Sequence, residues 1–348
     1  MTEERLPVIM DVDTGVDDCV ALLYAVASPD VELVAATCSA GNVEAPRAAA
    51  NTLAVLELAG AGDVDVALGS LAPLSAPLRT ATSHGPDGLG YAELPEAHRP
   101  LSSRFAPDLL VEEVRRRPGA ITLVATGPLT NVALAVEREP ELPRLLRRLV
   151  IMGGSFDYPG NTTPAAEFNV LVDPEAAKIV LDAFSKAGNA PPLLCGLNVT
   201  ERAEFRPEHA RRLARLAGST PDELPAPDDP AGTRSHASSP VVRCVSDALR
   251  FSMEAHLRSE QRYVAHLHDP LALALALDGS LGQTRPGTVD VELDGSLTRG
   301  MTVVDWRGLW GRAPNADVAV QVDAGRFLDG LIDRLAALAR QRSSSSRD

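Results

Sequence analysis

The chain has 348 residues, 45% of them hydrophobic and 4% aromatic, enough to bury a sizeable core in one large α/β domain or two smaller ones. Its formal net charge of −14 argues against nucleic acid and anionic membranes as partners, because both call for a basic footprint. The opening residues hold no apolar stretch and no run of about 18 apolar residues occurs, so neither a signal peptide nor a membrane-spanning helix is expected.

Short apolar runs alternate with helical stretches, the pattern of an α/β fold with an open, mainly parallel sheet flanked by helices. In chain order, 7–12 reads as a buried strand, 16–27 as a helix, 31–38 as a strand and 45–59 as a helix. Residues 120–126 form a strand ending in a Gly127-Pro128 turn, with a helix over 129–137. Short strands follow at 149–152 and 192–197. A helix spans 269–277, with Asp269 expected as its N-cap and Pro270 at its first position. Late strands are expected at 287–293, 301–306 and 317–322, and an amphipathic helix at 327–340. Segments 74–90 and 218–240 are rich in Gly, Pro and Ser and resist assignment; loops of that length read as mobile lids or disordered segments. With no repeat and no marked boundary, 1–342 reads as a single domain and 343–348 as a low-complexity, disordered tail. Cys19, Cys38, Cys195 and Cys244 lack the spacing of a zinc site, and three of them lie in apolar surroundings and read as reduced core residues, so a cytoplasmic location is expected.

The segment Asp11-Val12-Asp13-Thr14-Gly15-Val16-Asp17-Asp18 follows a strand and opens a helix. Strand alternation turns Asp11 and Asp13 to one side, Gly15 permits a tight turn, and Asp17 and Asp18 fall in the first helical turn, where the dipole favours carboxylates. A helix cap needs one or two acids, not four. Like charges this close require a cation or a shared proton, and a hard divalent ion with oxygen ligands, Ca2+ or Mg2+, fits. Other polar groups also stand at strand ends, where open α/β sheets build their sites: Ser39 to Asn42, Thr126 to Asn131, Met152 to Gly154 leading to Asn161 and Glu167-Phe168-Asn169, and His268-Asp269. Singly, each has a plain reading: Asn42 as a turn residue, Asn131 as a helix polar group, Glu167 as a surface acid, His268 as a satisfied histidine. Their placement on one edge points to a shared site.

These stretches carry a resemblance. DVDTGVDD (11–18), AGN (40–42), HGPDGLG (84–90), TGPLTNVALA (126–135), MGG (152–154), GN (160–161), AEFNVLVDPEAA (166–177) and HDPLALA (268–274), then RGMTVVDWRG (299–308) and PNADVAVQVD (314–323), stand in the order of the inosine–uridine-preferring nucleoside hydrolase family. The chain resembles that family over most of its length. The resemblance implies a Rossmann-like nucleoside hydrolase fold and Ca2+-dependent hydrolysis of the N-glycosidic bond of small-molecule ribonucleosides to ribose and free base. It implies that the carboxylates of Asp13, Asp18 and Asp269 and the backbone carbonyl of Thr126 bind Ca2+, with Asp13 also the general base on a metal-bound water. Asp17, Asn42, Asn161, Glu167 and Asn169 would hold the ribose hydroxyls, Met152 and His84 would approach the substrate, Asp11 would support the cluster from behind, and His268 would protonate the departing base. A homodimer or homotetramer and a place in nucleoside salvage are also implied. In the 218–265 stretch, His256, Glu260 and Tyr263 stand on the helix that would carry base contacts. Thr14 occupies a position where the family often has Pro, a change expected to affect turn rigidity more than chemistry.

The chemistry agrees with that implication. N-glycosidic cleavage passes through an oxocarbenium-like sugar, which a carboxylate-rich pocket stabilises. Three other readings compete. In a haloacid-dehalogenase-type phosphatase with a DxDxT motif, Asp11 would be the nucleophile and Asp13 the acid/base, but the lysine it needs could only be Lys178 or Lys186, neither in a motif. The others are a non-catalytic nucleoside-binding protein and a hydrolase of a related ribosyl compound.

Overall fold

The apolar runs pair side by side into one large sheet. The computed structural model describes residues 5–188 and 190–345. In chain order, β1 (Leu6–Val12), α1 (Val16–Ala27), β2 (Val31–Cys38), α2 (Ala45–Ala59) and β3 (Asp65–Leu68) precede α3 (Ala106–Arg116), β4 (Thr122–Ala125), α4 (Thr130–Arg138), α5 (Leu142–Leu145) and β5 (Arg148–Met152). Next come α6 (Phe168–Val172), α7 (Pro174–Ala187), β6 (Leu193–Cys195), α8 (Leu197–Thr200), β7 (Glu204–Phe205), α9 (Pro207–Ala217) and α10 (Pro240–Glu260). The chain closes with β8 (Ala265–His266), α11 (His268–Leu277), β9 (Gly282–Val291), β10 (Thr302–Asp305), β11 (Ala316–Val322) and α12 (Ala324–Ser345).

The sheet runs β10-β9-β11-β6-β5-β4-β1-β2-β3. It is parallel from β11 to β3, and β9 lies antiparallel to both β11 and β10. The open, mainly parallel sheet expected from the sequence is therefore the fold, in a single domain. Side chains of β1 alternate between two cores. Val8, Met10 and Val12 pack with α1, α2, α10, α11 and α12, while Ile9 packs with α3, α4 and α7. Burial on both faces is why the parallel strands read as unbroken apolar runs.

From β1 the chain winds outward through β2 to β3, then returns to β4 on the other side of β1. Winding direction reverses between β1 and β4, and such a switch point leaves a crevice at the carboxyl ends of the strands. Asp11 sits there, level with Thr37 of β2 and Ala125 of β4. On the same side β7 and β8 form a small antiparallel pair, with Glu204 opposite His266.

Several boundaries differ from the sequence reading. Asp269 is not an N-cap: α11 begins at His268, its N-cap is Leu267 with no side-chain cap, and Asp269 lies inside the first turn with its carboxyl turned to Asp17. The 74–90 and 218–240 segments are irregular but anchored. Gly90 donates to the His84 carbonyl (2.9 Å) and the Asn51 amide to the Asp87 carbonyl (2.8 Å). The guanidinium of Arg250, buried on α10, donates to the carbonyls of Ala226 (2.8 Å) and Asp229 (3.0 Å). Helix α12 continues to Ser345, so 343–345 belong to it rather than to a tail, and 346–348 lie outside the described residues. Among the described residues no helix is long and apolar enough to cross a membrane. All four cysteines are buried and unpaired.

Candidate active site

The β1–α1 connection brings its carboxylates together by three separate grips. Asp11 Oδ1 accepts the Thr37 hydroxyl (2.6 Å) and the Asn131 amide (2.9 Å), while Oδ2 is buried without a partner. Burial raises this carboxyl to about 7. Past the strand end, Asp13 is held by Asn42, whose backbone N–H donates to Oδ2 (2.6 Å) and whose amide donates to Oδ1 (3.2 Å). Asp18 folds back to the start of α1. Its Oδ2 accepts from Gly15 N (2.9 Å) and Asn42 Nδ2 (3.2 Å), and its Oδ1 accepts the Thr126 hydroxyl (2.8 Å). The packing leaves no room for a side chain at Gly41, where a Cβ would stand 2.1 Å from Asp13 Oδ2. Thr14 ties the turn to α2, its hydroxyl 2.6 Å from that of Thr52 and its carbonyl accepting from Asn51 (3.1 Å).

Asp17, Asp18 and Asp269 are buried, with carboxylate oxygens within 4.8 Å of one another. Burial pushes the carboxyls of Asp13, Asp17, Asp18 and Asp269 above their ordinary range, and repulsion from neighbouring aspartates adds to the shift for Asp13, Asp18 and Asp269. Among the described residues no lysine or arginine lines the cavity above them. Buried carboxylates facing each other without a cationic side chain call for a metal ion, and this all-oxygen donor set fits a hard divalent one.

The opposite wall is equally fixed. Glu167 caps α6: its Oε1 accepts from Asn169 N (2.7 Å), its Oε2 from Gly154 N and Val170 N (both 3.0 Å). The Asn169 amide donates to the Thr126 carbonyl (2.7 Å) and the Met152 carbonyl (3.2 Å). A carbonyl oxygen has two lone pairs, so that of Thr126 retains one. Asn161 is exposed at the rim and accepts from Phe168 N (3.0 Å). His84, on the first irregular segment, accepts the Val16 N–H at Nδ1 (3.0 Å) and stands 3.9 Å from Asp17. Burial lowers its imidazole to about 4. At the head of α11, His268 Nδ1 lies 2.8 Å from the Thr200 hydroxyl; burial first, then its histidine neighbours, holds this imidazole well below its ordinary range.

The cavity so formed is about 260 Å3 and brings together Asp17, Asn42, His84, Thr126, Met152, Asn161, Glu167, Asn169, His268 and Asp269. Asp11, Asp13 and Asp18 are fully buried and do not line it. Asn131 points away, bridging Asp11 to Ser70 N (2.9 Å). Of the three residues named in the 218–265 stretch, His256 and Glu260 stand on α10 and line the cavity, whereas Tyr263 lies past the end of that helix and does not line it. Sequence reasoning missed Glu201 and His266. The His266-Leu267-His268 alternation carried a signal for the second, since residues two apart on an extended segment share a face. The phosphatase reading is disfavoured: the Asp11 carboxylate it needs as nucleophile is committed to Thr37 and Asn131 within the sheet, and Lys178 to Asp182 and Asp290 at 3.0 Å each.

Fold and site together define an α/β enzyme with a carboxylate-floored, cation-binding pocket at a sheet switch point. The model of the inosine-uridine preferring nucleoside hydrolase family matches residues 8–329, and the chain belongs to that family, which makes it an N-glycosidase of nucleosides. It is 40% identical over 336 residues to the pyrimidine-specific ribonucleoside hydrolase RihA of Citrobacter koseri, covering 96% of this chain and 99% of that protein. RihA of Escherichia coli is 39% identical over 332 residues, covering 95% and 98%. Among solved structures, a plant nucleoside hydrolase superposes with a TM-score of 0.82 at 34% identity, over 95% of this chain and 99% of that one. The purine-preferring ribonucleoside hydrolase of Gardnerella vaginalis superposes with a TM-score of 0.84 at 30% identity, over 96% and 99%.

Proposed function

We propose that this chain hydrolyses the N-glycosidic bond of pyrimidine ribonucleosides, releasing ribose and free base, with Ca2+ in the aspartate cluster. The observation that carries the reading is the buried convergence of Asp17, Asp18 and Asp269, with Asp13 behind them and, among the described residues, no lysine or arginine on the cavity. Asp13, Asp18 and Asp269 would hold the ion through carboxylates and Thr126 through its backbone carbonyl. When bound, a divalent cation there orients a water molecule and lowers its pKa.

Asp13 would serve as the general base, its carboxylate held in orientation by the double contact from Asn42. Asp17, Asn42, Asn161, Glu167 and Asn169 hold the ribose hydroxyls and set the attack geometry before reaction. The same carboxylates stabilise the positive charge that develops on the sugar. With the Thr200 hydroxyl donating to its Nδ1 at 2.8 Å, His268 would carry its proton on Nε2 and offer it as a hydrogen bond to the departing base. Asp11 acts from behind, tying β1 to β2 and α4 through Thr37 and Asn131.

The pyrimidine preference rests on the relatives. Those named pyrimidine-specific share 40% of residues along almost the whole chain, against 30% for the structure named purine-preferring. The α10–β8 side of the cavity is also polar, lined by Ser252, His256, Ser259, Glu260 and His266. Ribose release from uridine, cytidine, inosine and adenosine tests the reading. We expect kcat/KM for uridine and cytidine to exceed that for the purines by about tenfold or more, a difference of roughly 1.4 kcal/mol. Inosine cleaved as well as uridine would overturn the preference.

A further inference from the structure

The α10–β8 side of the cavity carries a second cluster of ligating groups. His256 and Glu260 stand four residues apart on α10, hence on one face of the helix, and His266 ends β8. One ligand atom from each lies within 4.8 Å of the other two. The rings of His256 and His266 meet edge to face with centroids 4.8 Å apart.

Both imidazoles are prepared as ligands. His256 Nδ1 lies 2.9 Å from the Ser252 carbonyl, which places the proton on Nδ1 and leaves the Nε2 lone pair free. Anchoring the second ring nitrogen on a backbone carbonyl is the usual way a metal-binding histidine is oriented. His266 is 7% exposed, and its Nδ1 is buried without a hydrogen-bond partner. A buried polar atom left unpaired is costly and calls for an explanation.

We propose that His256, Glu260 and His266 form a second metal site, chemically distinct from the aspartate cluster and selective for a borderline divalent ion such as Zn2+. Two imidazole nitrogens and one carboxylate are a zinc donor set, whereas Ca2+ takes oxygen ligands. Three protein ligands leave a fourth position open toward the cavity, as in zinc sites that accept water or a substrate group. The site uses residues of the same polar α10–β8 side of the cavity, but its occupancy is measured without turnover, so its failure and that of the pyrimidine reading are separate outcomes.

Isothermal titration of Zn2+ into the full chain saturated with excess Ca2+ tests the proposal, because Ca2+ then occupies the all-oxygen site. One Zn2+ per chain is expected, with affinity reduced about tenfold or more in His256→Ala and in Glu260→Gln. Both positions are accessible on α10, and unchanged metal-free melting curves would establish that the variants fold. Co2+ in place of Zn2+ is expected to give a visible ligand-field band that His256→Ala loses. No Zn2+ binding in the Ca2+-saturated protein, or equal affinity in wild type and both variants, would overturn the assignment.

Discussion

Asn42 grips Asp13 at both carboxylate oxygens, through its backbone N–H at 2.6 Å and its side-chain amide at 3.2 Å. The β2–α2 connection thereby sets the orientation of the proposed general base, and Gly41 beside it leaves the space the carboxylate fills. A Cβ at Gly41 would meet Asp13 Oδ2 at 2.1 Å, so Gly41→Ala must displace Asp13. We expect kcat in Gly41→Ala to fall by about 10²-fold, and in Asp13→Ala by about 10²–10⁴-fold, with native circular dichroism in both. Turnover near wild type in Asp13→Ala would remove it from the mechanism.

His268 is held by Thr200 at 2.8 Å and faces the cavity. If it assists departure of the base, its removal matters less when the leaving group departs unaided. For His268→Ala we expect a larger loss of kcat/KM with uridine than with p-nitrophenyl riboside, by about tenfold or more. Equal losses on both substrates would assign His268 to ribose positioning instead.

Asp247 provides a pH-dependent readout away from the catalytic groups. It lies on α10, accepts from Ser235 N (2.7 Å), and burial raises its carboxyl to about 6 from an ordinary 3.8. Because the folded value is the higher one, the folded state binds the proton more tightly. The stability associated with it is present below about 4 and is lost as pH rises through about 6. Asp247→Asn lacks this titration. Its melting temperature relative to wild type is expected to climb between pH 4 and 6 and to level off above. A difference independent of pH would contradict the assignment.

Much of this architecture is legible in the sequence because its apolar runs are unbroken. Residues 16–27, 31–38 and 45–59 form the expected elements with the expected bounds. Helix α10 is expected only from the resemblance and leaves no periodic signal of its own, because Asp247, Arg250 and Glu254 interrupt its apolar positions although all three are buried. Arg250 and Glu254 pair at 2.8 Å, and Arg250 also anchors the preceding segment. Such partnerships across 20 or so residues leave no periodic trace. The site divides in the same way. The aspartates, Glu167 and Asn169 stand in local motifs. Glu201 comes from the end of a four-residue helix and meets the cavity only through tertiary packing. Asp269 misled in a specific way: as an acid before Pro270 it matched a helix cap, while the folded chain uses its carboxyl against Asp17.

The central claim is that the buried aspartates hold a divalent cation without which the glycosidic bond is not cut. Its most direct test is the rate of ribose release from uridine before chelation, after exhaustive chelation with metal content checked by elemental analysis, and after Ca2+ is restored. Activity is expected to vanish with the metal and to return with Ca2+. Full activity in a preparation shown to be metal-free would contradict it.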